Sequence, residues 1–114
     1  MTDVVSRASE LLRLHHTGTM LVLPTVWDAW SAASVVEAGF PAISVGSHPL
    51  ALSRGQEDNE GMTLSDALDG IGRITAAVDV PVTADMESGY DTPAAELVER
   101  VLAAGAVEIG RAHV

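Results

Sequence analysis

The sequence predicts an α/β protein built on a parallel sheet. Short apolar runs of strand length alternate with longer segments whose apolar residues recur at helical spacing. Capping residues fall at the boundaries between them. Acidic and small residues also gather where the strands run out, and in sheets of this kind ligands sit beyond the strands' C-terminal ends.

Asp3 caps a first helix that carries Val4, Val5, Ala8, Leu11, Leu12 and Leu14 and closes at His15-His16-Thr17-Gly18. Adjacent histidines on a helix point about 100° apart, so both read as helix-end residues rather than joint metal ligands. Met20-Leu21-Val22-Leu23-Pro24 predicts a strand buried on both faces. Asp28 is placed to cap a helix over Ala29 to Ala38 with Gly39 just past its end, and Trp27 and Trp30 read as packing residues. Pro41 to Ser47 is the second strand, and His48 to Gly61 a long polar connection. Thr63, with Asp66 three residues on, starts a helix whose apolar stripe is Ala67, Ile71, Ile74 and Val78. The third strand begins at Val80 and runs into Asp85 and Glu87. Thr92-Pro93 opens the next helix, with Leu97, Val98, Val101 and Leu102 on its buried face and Gly105 at its end. Ala106-Val107-Glu108-Ile109 begins a fourth strand. The order is a helix, three strand–helix units and the start of another strand, joined by right-handed crossovers.

Composition removes several function classes. Of 114 residues, 47% are hydrophobic, enough for a packed core. The formal net charge is −10, and all six basic residues are arginines, so no basic patch serves nucleic acid or anionic lipid. With no cysteine there is no disulfide framework, thiol nucleophile or zinc–thiolate site. No apolar stretch reaches the roughly 20 residues of a membrane span, and the N-terminus lacks a signal-peptide pattern, so the expected location is cytoplasmic.

The candidate site lies at the strand ends. Residues two apart on a strand point the same way, so Asp85 and Glu87 project together. A hard divalent cation such as Mg²⁺ relieves their repulsion with oxygen ligands; a helix cap and a solvated loop acid are the plainer alternative. Ser44, Gly46 and Ser47 are small enough to admit a ligand to the backbone, whose N–H groups can hold an oxyanion; a simple turn is the alternative there. In the acidic loop, Glu57, Asp58 and Glu60 form a cluster that is ordinarily solvated, although its place after a strand end suits a metal-facing role for one member. These groups converge on one edge of the sheet.

Four stretches in this order resemble the isocitrate lyase/phosphoenolpyruvate mutase superfamily, and within it the short phosphonomutase-like and methylisocitrate-lyase-like branch. They are Leu23 to Ala32, Gly39 to Ser47, Gly55 to Thr63, and Val82-Thr83-Ala84-Asp85-Met86-Glu87-Ser88-Gly89-Tyr90, which is similar to the family's Asp-x-Asp/Glu-x-Gly-Tyr metal motif. The resemblance implies the N-terminal part of a TIM-type (β/α)8 barrel with a Mg²⁺-dependent site. It implies a lyase or mutase that cleaves or forms C–C or P–C bonds of α-keto-acid-derived substrates through an enolate. Carried over by position, Asp85 is the closest metal ligand, and Asp58 and Glu87 hold metal-bound waters. Asp58 is also the catalytic candidate, and Ser44, Gly46 and Ser47 line the substrate carboxylate or oxyanion. The implied partners are a small carboxylate or phosphonate substrate and further copies of the parent chain in a homo-oligomer. The alternative is a non-catalytic carboxylate- or metal-binding protein on the same scaffold. Three departures bear on the substrate: Ser44 replaces a common aromatic residue, Gly46-Ser47 inverts the common order, and Asp91 replaces a usual glycine.

Such a barrel takes about 250 residues, and the resemblance extends from about residue 7 to Val107. The expected organisation is a partial barrel domain over residues 1–107 and a non-native tail over 108–114, in an inactive fragment. Glu108-Ile109-Gly110-Arg111-Ala112-His113-Val114 is what the start of a common sequencing adapter would encode in this frame. Sequencing the source DNA across this junction checks the expectation, and a native stop codon directly after Val114 would overturn it.

Overall fold

The computed structural model describes residues 3–57 and 61–110. In chain order the elements are α1 (Val4–His15), β1 (Thr25–Val26), α2 (Ala29–Glu37), β2 (Ile43–Val45), α3 (Ser47–Ser53), α4 (Leu64–Ala77), β3 (Val82–Asp85), α5 (Ala94–Ala103) and β4 (Glu108–Gly110). Helices α1, α2 and α4 start where side chains satisfy their first N–H groups. Asp3 accepts from the Ser6 N–H at 2.7 Å, Asp28 and Ser31 cap each other reciprocally, and so do Thr63 and Asp66. The Asp66 carboxyl is held below the usual carboxylate range, first by the Gln56 side chain and then by the Thr63 backbone N–H.

The strands form one parallel sheet in the order β1-β2-β3-β4. Its register aligns Thr25, Ser44, Thr83 and Glu108 in one row and Val26, Val45, Ala84 and Ile109 in the next. Alternation then divides the faces. Val26, Ile43, Val45, Val82 and Ala84 are buried in a core shared with Ala32 of α2, Ile71 and Ile74 of α4, and Val101 of α5. The other face carries the hydroxyl and carboxylate row. Helix α1 packs at the N-terminal end of the strands, where Leu11 and Leu14 meet Ala42, Leu21, Leu23 and Val107.

Arg7 fastens α1 to α4. It is 3% exposed, and its guanidinium donates to the Thr75 carbonyl at 3.1 Å and the Val78 carbonyl at 2.5 Å. A cation at the C-terminal end of α4 also meets the negative end of the helix dipole. Gly105, at φ 100°, makes a close approach possible here, because a Cβ would lie 2.6 Å from Thr75 Oγ1.

Several sequence expectations need correction. Met20 to Pro24 is not a strand: pairing begins where Ser44 N–H donates to the Pro24 carbonyl, and β1 is only Thr25–Val26. β1 is an edge with one neighbour, and Met20, which precedes it outside any strand, is 86% exposed instead of buried on both faces. Trp27 and Trp30 do not pack inward, and Trp30 is 74% exposed at the start of α2. The long polar connection contains α3, which buries Leu50 and Ala51. The α5 stripe is narrower than expected: Leu97 and Val101 are buried, whereas Val98 and Leu102 are exposed beside β4, which pairs on one side only. Val5 and Leu12 likewise face out from α1. No helix among the described residues is long and apolar enough to cross a membrane.

Between β3 and α5 the chain turns through three non-glycine residues in the left-handed region, Glu87 (φ 51°), Tyr90 (φ 54°) and Asp91 (φ 54°). Such residues persist only where surrounding contacts hold them.

Two outcomes follow for urea denaturation. Arg7→Met leaves the Thr75 and Val78 carbonyls without their donor and lowers stability by about 2 kcal/mol. Asp91→Gly removes the side-chain penalty of a left-handed backbone, which outweighs the added freedom of the unfolded chain, and raises stability by about 0.5–1 kcal/mol.

Candidate metal-anchoring site

Asp85 is the last residue of β3 and shares its parity with Thr83, so it stands at the C-terminal end of the polar face. Ser47, at the first position of α3, is buried and donates its hydroxyl to Asp85 Oδ2 at 2.8 Å. The backbone N–H of Glu87 donates to Asp85 Oδ1 at 2.9 Å. Both oxygens are thus oriented by neutral donors from two connections. A carboxylate oxygen has further lone-pair capacity, so this arrangement leaves Asp85 able to ligate a cation.

Glu87 is placed differently from the expectation. The strand ends at Asp85, and Glu87 already has φ 51°, so strand alternation does not set its direction. The turn sets it instead. Met86 N–H still donates to Gly110 O at 3.0 Å, Gly89 N–H returns to Met86 O at 2.9 Å, and Thr92 N–H to Gly89 O at 3.0 Å. Glu87 is 2% exposed, and Tyr90 donates its phenol hydroxyl to Glu87 Oε2 at 2.7 Å. This tyrosine was not among the sequence-level candidates. Its spacing of three residues from Glu87 across a glycine turn was the available signal.

Ser44 and Gly46 sit on the same polar side of β2, next to the site. Their N–H groups are committed to the ladder, Ser44 to Pro24 O at 2.9 Å and Gly46 to Val26 O at 3.3 Å. The oxyanion role expected of those two amides is therefore closed, and Ser44 presents a side-chain hydroxyl instead. Gly46 has a packing reason: a Cβ there would lie 2.6 Å from Thr25 Cγ2 and 2.9 Å from Pro49 Cγ. Asp58 lies outside the described residues. Among the described residues, no three acidic or histidine side chains cluster as a metal site. Asp85 and Glu87 nonetheless provide the hard oxygen donors that Mg²⁺ takes.

A family model described as phosphoenolpyruvate phosphomutase matches residues 11–110. A structure from Burkholderia cenocepacia, provisionally described as a lyase/mutase, is 34% identical with a TM-score of 0.88 over 95% of this chain and 40% of that one. The structure of oxaloacetate acetylhydrolase with the product oxalate is 30% identical with a TM-score of 0.85, over 96% of this chain and 39% of that one. An uncharacterised protein of Mycobacterium tuberculosis is 34% identical over 77 residues, which are 68% of this chain and 30% of that protein. The chain therefore spans well under half the length of these relatives. Its helix, three strand–helix units and fourth strand form part of a TIM-type (β/α)8 barrel, with α3 as an added turn of helix after β2. With its family match extending over residues 11–110 and this architecture, the chain belongs to the phosphoenolpyruvate phosphomutase family of the PEP mutase/isocitrate lyase superfamily.

Proposed function

We propose that this chain carries the metal-anchoring part of a Mg²⁺-dependent lyase or mutase. The reaction class is cleavage or formation of a C–C or P–C bond in a 2-oxo-acid-derived substrate, through an enolate. The observation that carries this reading is Asp85 at the C-terminal end of the polar face, oriented by the Ser47 hydroxyl and the Glu87 N–H. Similar structures include oxaloacetate acetylhydrolase, 2,3-dimethylmalate lyase and a phosphoenolpyruvate phosphomutase, and their names support a small carboxylate or phosphonate substrate.

In this reading Asp85 holds the cation directly, and Glu87 with Asp58 holds its waters. The bound Mg²⁺ supplies Lewis-acid stabilisation of developing charge on a 2-oxo acid. Ser47 keeps Asp85 in one orientation. The Ser44 hydroxyl and the backbone at Gly46 line the substrate's side of the site. The parent protein acts as a homo-oligomer, and the 114-residue chain alone binds without turnover.

Calorimetric titration with oxalate and Mg²⁺ tests the site. Oxalate binds the chain only with Mg²⁺ present, and Asp85→Asn weakens binding by at least about tenfold, the scale on which loss of a group orienting or holding the metal is felt. Binding that is indifferent to Mg²⁺, or to Asp85→Asn, would sink the proposal. For catalysis, a complete barrel containing this segment is assayed with 2-methylisocitrate, dimethylmalate, oxaloacetate and phosphonopyruvate. A Mg²⁺-dependent product is expected from at least one. Oxalate binding with no turnover of any would instead favour a ligand-binding protein on the same scaffold.

A further inference from the structure

We propose that Tyr90 is a positioning residue for Glu87: its phenol fixes the buried side chain that the metal reading assigns to the site. The inference rests on the metal reading above.

Glu87 is 2% exposed, and a carboxylate so buried needs hydrogen bonds that replace lost water. Tyr90 supplies one at 2.7 Å. A phenol donates a proton to the bond and brings no positive charge of its own, so this contact orients Glu87 without adding a competing cation. An arginine or lysine in the same place would compete with the metal.

Tyr90 is itself held at both its side chain and its backbone. Its apolar edge packs against the main core, and its backbone carbonyl accepts from Thr92 Oγ1 at 3.1 Å. Tyr90 and Glu87 both occupy the left-handed region, which brings their side chains together across Gly89. Phenylalanine could keep the core contact but not the hydrogen bond. The hydroxyl therefore has a job beyond filling space.

Tyr90 is the sole tyrosine in the chain, which makes it directly observable. The full 114-residue chain, labelled with ζ-¹³C tyrosine, gives a single ring-carbon signal. That signal shifts on addition of Mg²⁺, because the partner of the phenol changes its interactions. In parallel, free Mn²⁺ measured by electron paramagnetic resonance gives the metal dissociation constant. Tyr90→Phe raises it about tenfold, as for loss of an outer-shell partner, while far-UV circular dichroism and the thermal midpoint stay near the parent's. In a Glu87→Gln background the same substitution changes the constant by less than about twofold, since the two residues act as one unit.

An unchanged metal affinity in Tyr90→Phe, or an equal loss with Glu87→Gln already in place, overturns the positioning role and leaves the metal reading intact. If Tyr90→Phe does not fold, the parent's ¹³C signal decides: no movement at saturating Mg²⁺ overturns the role. Failure of the parent to bind either cation overturns both readings.

Discussion

Ser44 of β2 stands beside Thr25 of β1 and Thr83 of β3, and Thr83 stands beside Glu108 of β4. Everything else in the molecule depends on that parallel alignment. It places Val26, Val45 and Ala84 together against the helices, and by strict alternation sends the next row the other way. A slip of one residue in β3 would put Asp85 into the apolar core and Ala84 on the polar face. Burial of Ile43, Val82 and Ala84, each at 0% exposure, is what makes such a slip costly. The position of the candidate site is therefore enforced by the hydrophobic packing on the opposite side of the sheet.

Among the described residues two charged side chains are buried, Arg7 and Glu87, and each is held by partners elsewhere in the chain. Arg7 ties α1 to the last turn of α4 through two backbone carbonyls. Glu87 receives the Tyr90 hydroxyl. The two arrangements differ in consequence. At Arg7 the partners are carbonyls at a helix C-terminus, so the charge is used to join two elements. At Glu87 the Tyr90 partner is a phenol, so this contact holds the side chain without adding a positive charge of its own. The left-handed backbone of Glu87, Tyr90 and Asp91 is the conformational cost of that second arrangement.

The apolar residues left exposed have a common setting. Met20 and Val22 precede β1 at one edge of the sheet, and Val98, Leu102 and Ile109 flank β4 at the other. A strand inside a closed barrel has two neighbours. In the sheet seen here β1 and β4 have one each. Val98, Leu102 and Ile109 thus form an exposed apolar strip over the buried Val101 and Ala106.

By itself the sequence determined the features that rest on short separations. The caps at Asp3, Asp28 and Thr63 each involve a partner three residues away, and all three helices begin where those residues stand. Alternation of strands and helices was equally legible, because periodicity is local, and so was Asp85 at the end of β3. Only the tertiary structure decided what depends on distant partners. Arg7 lies on a helix whose pattern marks it as polar, yet it is buried because Thr75 and Val78 meet it from far along the chain. β1 shortened because only β2 is there to pair with it. Ser47 found Asp85 across 38 residues. Glu87 escaped a strand rule because the backbone reversed before its side chain could obey it, and that reversal is held by contacts to β4 and to Tyr90 that no local pattern contains.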